Sequence, residues 1–394
     1  MSNSINGEQS NSIMPLGACI LLQLTMGMLY GWSVLLAPLE SELSSSRSEV
    51  SIAYSLAFIF VTVGCFVTHR LLHWLALPKL TIVIMTLGAV GIGIAGFGEN
   101  IFTLILGYGI IFGFASGVSY FLSVSACSIR SPLPHSVSLS IAVGSFALGG
   151  VVWPSIYTTM INWMGVFPTL QVSAIIIIIS GIIAYYLFLY SNAEVPKPDN
   201  NTGFFEDLLT SKPRVMICLW LGFLLLAFAA LMIIGHAAGM VKEWADKDIT
   251  LGPMLPNLGY IAGALLAGQI CRFLSGRLVT VGMCALAAIT LILAWIFPGL
   301  TLGLIMLGAV GISFGIASTA YPSTIGNYYG INEIPRIYGR QSISYGLGGL
   351  LGPLAAAAIF DGTLSYSISI LTAALIASAA ALVHLYLPRN QVTT

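Results

Sequence analysis

Twelve apolar runs, each long enough to cross a bilayer as a helix and each cut from the next by charge, Pro or Gly, leave this chain little choice of architecture. A membrane-spanning helix needs about 20 such residues, and the runs fall at 14–38, 50–68, 80–97, 101–127, 137–159, 167–190, 215–238, 252–272, 278–297, 300–322, 341–360 and 364–387. In hydrocarbon every peptide N–H and C=O must be satisfied within the segment, so runs of this length predict helices. Composition agrees: 7% of the 394 residues are charged, against about 25% in a soluble protein. The expected fold is an all-α membrane protein with no soluble domain of its own.

Lysine and arginine set the orientation, because they collect on the cytoplasmic side of membrane proteins. With the N-terminus inside, eleven of the fourteen basic residues fall on inner segments, among them Arg70, Arg130, Lys197, Arg272, Arg277, Arg336, Arg340 and Arg389. Only Arg47, Lys242 and Lys247 fall outside, among acids that include Glu40, Glu243, Asp246, Asp248 and Asp361. Both termini are therefore expected in the cytoplasm, and the short loops and tails point to a bacterial inner (plasma) membrane. The longest polar stretch, 191–214, reads as a linker. It divides the chain into a tail (1–13), an N-terminal six-helix bundle (14–190), a C-terminal six-helix bundle (215–388) and a second tail (389–394). The six cysteines sit in apolar runs without CxxC or nearby His, so neither disulfide nor metal is expected.

An internal repeat supports that division. Phe112-Gly113-Phe114-Ala115-Ser116 in the fourth run returns as Phe314-Gly315-Ile316-Ala317-Ser318 in the tenth, an offset of 202. Gly149, Gly150 and Pro154 in the fifth run return as Gly348, Gly349 and Pro353 in the eleventh, an offset of 199. Each match maps one run onto the run six further on. The halves are thus parallel repeats related by an axis along the membrane normal, a layout that suits rocking of one half against the other.

With these features the sequence resembles the major facilitator superfamily, and within it the branch of oxalate:formate antiporters and monocarboxylate transporters. The resemblance rests on Gly27-Met28-Leu29-Tyr30-Gly31-Trp32-Ser33 with Pro38-Leu39, on Gly235-His236-Ala237-Ala238-Gly239, on Arg272 four residues before Gly276, and on Tyr338-Gly339 leading to Gly348-Gly349 and Gly352-Pro353. It implies twelve helices in two bundles, alternating access, and a carboxylate bound by Arg272. Departures sharpen the expectation. Val34 stands where proton-coupled members have lysine, Gly268 where they have aspartate, and Tyr345 before Gly346 where oxalate carriers have a second cation. One missing counter-charge favours a monoanion. The loop signature with Gly and Asp that follows the second helix in the superfamily is not recognisable in 69–79.

Arg272 is the sharpest candidate, since a guanidinium is costly in a membrane unless it faces a wet cavity or an anion, which it grips in a fork. The plain alternative is a marker of the inner end of its helix. Tyr30, Tyr120, Tyr321 and Tyr345, with Trp32 and Trp153, are the aromatic candidates for enclosing a small substrate, and Gln269 lies one turn from Arg272. His236 is a candidate for proton coupling. Gly144, Gly149, Gly150, Gly348 and Gly349, with Pro154 and Pro353, are expected to pack and bend the gating helices. Arg70, Arg130, Arg336 and Arg340 are expected to anchor the inner face. No P-loop, HExxH or GxSxG occurs, so the chain is not read as an enzyme and needs no cofactor or metal. The expected partners are a small-molecule anion and the lipid bilayer, with no nucleic acid and a single working copy. The leading expectation is an antiporter or facilitative carrier of an organic anion, with a drug-like or metallophore-like exporter as the alternative and a non-transporting sensor as the weakest.

Overall fold

A computed structural model of the chain describes residues 12–127, 129, 131–133, 135–193, 212–245, 249–330 and 334–388. Most of the two tails and of the 191–214 linker, with Arg130, Lys197, Asp246, Lys247, Asp248 and Arg389, lie outside these residues, as does the side chain of Arg336. Among the described residues twelve helices are long and apolar enough to span a membrane. They are α1 (Met14–Leu43), α2 (Arg47–Trp74), α3 (Leu77–Gly98), α4 (Ile101–Ala126), α5 (Val137–Met164), α6 (Val166–Tyr190), α7 (Pro213–Ile234), α8 (Leu251–Phe273), α9 (Gly276–Ile296), α10 (Leu300–Tyr329), α11 (Arg340–Thr363) and α12 (Ser367–Leu385). The even number of crossings brings both ends of the described chain to one face, here the terminal face. The opposite end of the bundles is the far face.

Most boundaries fall near the apolar runs, and the differences have local causes. Span α1 passes through Pro38 to Leu43, and α10 passes through Pro322 to Tyr329, because a proline removes one helical hydrogen bond without ending a well-packed helix. Span α7 stops at Ile234. Gly235 and His236 form a turn, and a separate short helix, Ala237–Ala245, continues along the far face. Two spans depart from α geometry inside the membrane: α1 tightens to a 3₁₀ segment at Gly27–Gly31, and α4 widens to a π segment at Ile105–Phe112.

Glycine explains how the helices sit so close, and it does so twice over. In the N-terminal half, a Cβ on Gly109 or Gly113 of α4 would collide with the backbone of Ala53 or Ala57 in α2. In the C-terminal half, a Cβ on Gly311 or Gly315 of α10 would collide with the backbone of Pro256 or Tyr260 in α8. These are the same packing stripes repeated six spans later, so the sequence repeat is a repeat of helix-to-helix contact. The seams between the halves follow the same symmetry. Gly150 of α5 faces Asn257 of α8, while Gly349 of α11 faces Phe58 of α2, and both glycine and partner are displaced by 199 residues.

If these stripes set the helix spacing, Gly315→Val forces backbones apart and Gly93→Ala, with nothing within 4 Å of its added carbon, does not. Purified Gly315→Val is expected to lose about 1–3 kcal/mol, read as a melting temperature several degrees lower in detergent. The melting temperature of Gly93→Ala is expected to match the parent protein.

Candidate functional site

At mid-membrane the two halves meet through a box of aromatic rings. The 3₁₀ segment of α1 exists where Gly27 presses against Gly149 and the Phe146 carbonyl of α5, a close approach that only glycine permits. This segment carries Tyr30, whose hydroxyl lies 3.2 Å from the hydroxyl of Tyr345 on α11. Phe146 of α5 stands edge-on to Tyr30 at 5.3 Å, and Tyr120 of α4 stands edge-on to Phe146 at 5.8 Å. Around Tyr345, Phe58 of α2 stands edge-on at 5.6 Å, while Phe223 of α7 and Phe314 of α10 stack at 6.3 and 6.1 Å. Tyr260 of α8 closes the set against Phe314 at 5.9 Å.

Each half thus supplies four rings, from α1, α2, α4 and α5 on one side and from α7, α8, α10 and α11 on the other. The spans are paired six apart, so the box is itself part of the repeat. Its polar groups are tyrosine hydroxyls, which donate or accept a hydrogen bond, and its walls are apolar. Such a lining can enclose a small molecule and orient one polar end.

The far face above the box is closed by contacts between the halves. Arg47, at the start of α2, lies on the face of Phe360 in α11, 3.8 Å from the ring centroid. Its Nε and Nη2 donate to the two carboxylate oxygens of Glu40 at 2.5 and 2.8 Å, and its Nη1 donates to the Tyr366 hydroxyl at 2.5 Å. Asp361, at the end of α11, accepts the backbone N–H of Arg47 at 3.2 Å and of Ser48 at 2.9 Å. A carboxylate from one half therefore caps the positive end of a helix in the other. Glu243 accepts from Ser365 Oγ and the Tyr366 N–H at 2.7 and 2.9 Å.

The structure sorts the candidates read from sequence. Tyr30, Tyr345 and Tyr120 come together in the box. Trp32 is fully buried and stacked on Tyr54 at 5.3 Å, and among the described residues its Nε1–H and the Tyr54 hydroxyl have no hydrogen-bond partner. Trp153 is buried, and its Nε1 donates to the Leu24 carbonyl at 2.9 Å, a tie between α5 and α1. Tyr321 is fully buried inside the C-terminal half, where its hydroxyl donates to His384 Nε2 at 3.0 Å. The other ring nitrogen of His384 donates to the Ala380 carbonyl at 2.7 Å. His236 is buried, with Nε2–H donating to the Pro353 carbonyl at 2.9 Å and Nδ1 lying 3.3 Å from the Tyr366 hydroxyl.

Arg272 and Gln269 are exposed near the terminal end of α8, on a stripe that includes exposed Leu258 and Leu265. That stripe is turned away from α10, which α8 meets through Gly259 and Gly263. Among the described residues neither Arg272 nor Gln269 makes a hydrogen bond or ion pair. Gly144 of α5 has nothing within 4 Å of an added Cβ, whereas Gly149, Gly150, Gly348 and Gly349 are all tight contacts. Pro154 and Pro353 lie inside their helices, and both carbonyls accept side-chain donors, Thr158 Oγ1 and His236 respectively.

Several residues escaped the sequence reading. Phe58, Phe146, Phe223 and Phe314 form half the box, yet a phenylalanine in an apolar run carries no signal of ligand contact, and Phe314 stands out only as part of the repeat. Arg340, expected at the inner face, is buried at 8% exposure because its helix begins earlier, at Ile334. His384 gave a usable signal, being a histidine inside an apolar run. Among the described residues no group of three or more His, Cys, Asp or Glu is placed to hold a metal ion.

Residues 16–334 match the model of the Major Facilitator Superfamily. The chain is also similar to the "Uncharacterized MFS-type transporter YhjX" of Escherichia coli (strain K12), with 23% identity over 344 residues that cover 84% of each protein.

Tyr321 and Tyr345 are two tyrosines of one half with different surroundings. Tyr321→Phe leaves His384 without its donor and is expected to cost about 1–3 kcal/mol of stability while leaving ligand affinity within twofold. Tyr345→Phe leaves the buried Tyr30 hydroxyl without its partner, so it is expected to cost stability on the same scale and, unlike Tyr321→Phe, to weaken ligand binding about tenfold. Thermal melts with and without ligand check both.

Proposed function

Because the chain belongs to the major facilitator superfamily and is a membrane transporter, we propose that it carries a small organic anion, in first place a monocarboxylate, by alternating access across a bacterial inner membrane. The carrying observation is the Tyr30–Tyr345 hydroxyl pair, one from each half, 3.2 Å apart in the aromatic box. A carboxylate that inserts between them takes two O–H donors from groups that otherwise satisfy each other. Binding therefore joins the halves through the substrate, which is what coupling of transport to rocking requires. The box is walled by rings, which suits an apolar chain behind the carboxylate.

The counter-charge in this reading is a guanidinium of the C-terminal half. The family resemblance gives that role to Arg272, which is exposed at the terminal end of α8 and meets an anion entering from that face. Burial gives it to Arg340, since a buried arginine in a membrane protein is retained for a partner or a pathway. A terminal face that is cytoplasmic, as the lysine and arginine bias indicates, makes the closed far face the outer one.

The uncharged walls of the box favour one competing substrate class, a drug-like or metallophore-like molecule held by stacking alone. Thermal shift of the purified protein with formate, acetate, lactate, pyruvate and oxalate separates the two. Stabilisation by a monocarboxylate is expected, with affinity at least tenfold weaker in whichever of Arg272→Ala or Arg340→Gln removes the fork, and no rescue by lysine at that position. Stabilisation by bulky aromatic compounds alone, unaffected by either arginine variant, overturns the anion reading in favour of an exporter.

A further inference from the structure

We propose that His236 is a proton-binding site exposed to the far-side solution when the transporter opens there, and that its protonation breaks the hydrogen-bond relay holding the far face closed. The proposal rests on the alternating-access reading, and on nothing about which substrate is carried.

The relay has one consistent direction. The Pro353 carbonyl only accepts, so His236 Nε2 carries a hydrogen and donates to it across 2.9 Å. Nδ1 of the neutral ring is then an acceptor, and the Tyr366 hydroxyl donates to it across 3.3 Å. The lone pairs of that same hydroxyl face the other half and accept Nη1 of Arg47 at 2.5 Å. Arg47, Tyr366, His236 and the Pro353 carbonyl thus form a chain of donors that begins in the N-terminal half and ends inside the C-terminal half. A proton on Nδ1 converts the acceptor into a donor. Tyr366 must then turn its hydrogen away from the ring, and two cations, the imidazolium and the Arg47 guanidinium, face one shared hydroxyl oxygen, so their repulsion weakens the contact between halves at its centre.

The surroundings make that proton unwelcome only while the face is closed. Facing His236 are the Tyr366 hydroxyl at the start of α12, the Arg47 guanidinium from α2, Asp361 from the end of α11 and Tyr54 of α2 beside Gly235. Glu40 and Glu243 lie one contact further out, on Arg47 and on Tyr366. His236 follows the end of α7 and lies outside the spans. There burial, with a smaller contribution from Arg47, lowers its pKa to about 4, against the raising effects of Pro353 and Asp361. Opening to the far side wets the ring and returns it toward about 6.5.

The sign follows from linkage. The closed form binds the proton less tightly, so closure is fully favoured above about pH 6.5 and weakens as pH falls from there toward about 4. Between pH 7.5 and 5.5 the open-to-closed ratio rises about tenfold.

The experiment is pulsed electron paramagnetic resonance between spin labels at Ser41→Cys and Ser367→Cys. Both sites are exposed, one in each half, and the protein is placed in nanodiscs with no anion added. Cys65 and Cys271, the two partly exposed native cysteines, are replaced by alanine. The expected result is a population at longer distance that grows about tenfold relative to the short one from pH 7.5 to 5.5. In His236→Gln, which keeps a donor for Pro353 and an acceptor for Tyr366, it stays constant. Tyr366→Phe, which removes the hydroxyl and keeps the ring, is expected to open at pH 7.5 as the parent does at pH 5.5. An unchanged distance in the parent, or an equal response in His236→Gln, overturns the proposal. Either result leaves the anion site standing, just as a failed carboxylate panel leaves this gate standing.

Discussion

Lipid offers no hydrogen bond to a peptide group and no hydrophobic reward for bringing two apolar helices together. The first fact makes each crossing a helix. The second leaves the question of why twelve of them stay in register, and close backbone approach answers it. Glycines at the contacts between α2 and α4, α8 and α10, α1 and α5, and α7 and α11 let whole helix faces touch, with dispersion summed over many atoms in place of water release. The 3₁₀ segment of α1 depends on the same contact, because Gly27 and Gly149 meet where it begins. Tyr30 hangs from that segment, so the position of a candidate ligand-binding hydroxyl is set by a glycine pair one turn away.

Close packing also separates rigid bodies from the surfaces between them. Within a half, helices meet backbone to backbone and have little freedom to shift, since protein interiors are dense and transmit strain. Between halves the contacts run through side chains: rings and a hydroxyl pair in the aromatic box, Asn257 on the Gly150 carbonyl, and a charged cluster at the far end. Side-chain contacts reform in new arrangements at lower cost than fused backbones, which suits the proposed rocking of the two halves as units.

The sequence was readable where the signal is local or periodic. Twelve apolar runs predict twelve spans, and the offsets of 202 and 199 return as matching helix contacts in the two halves. Tyr30 and Tyr345 were also within reach, because they sit in motif-bearing segments that the fold brings together. Depth and facing were not. Arg272 and Arg340 each read as a basic residue near the end of a span, yet one is exposed and the other buried, and the difference is a turn and a half of extra helix before Arg340. The far-face lock was out of reach for a different reason: Arg47 and Tyr366 are 319 residues apart, and nothing in either neighbourhood announces the other. Tyr321 lies in the same kind of helix as the box residues, but on a face that looks inward at His384, and sequence carries no sign of that facing.

The two seams between the halves are related by the repeat but differ in chemistry. Where α5 meets α8, Asn257 Nδ2 donates to the Gly150 carbonyl at 3.2 Å and to the Pro253 carbonyl of its own helix at 2.7 Å. Where α11 meets α2, the equivalent place holds the ring of Phe58 against Gly349. A hydrogen bond in a low-dielectric surround has a preferred length and direction, and leaving its buried partner unmet is costly. A ring over a glycine has no such preferred direction, and its contact is one of close packing. Symmetry gives the two seams one shape; the substitution of an amide by a phenyl ring gives them different tolerance to shear. The seam with the amide carries a buried hydrogen bond between the halves, while the seam with the ring is tied at its far end, where Asp361 accepts from the backbone of Arg47 and Ser48.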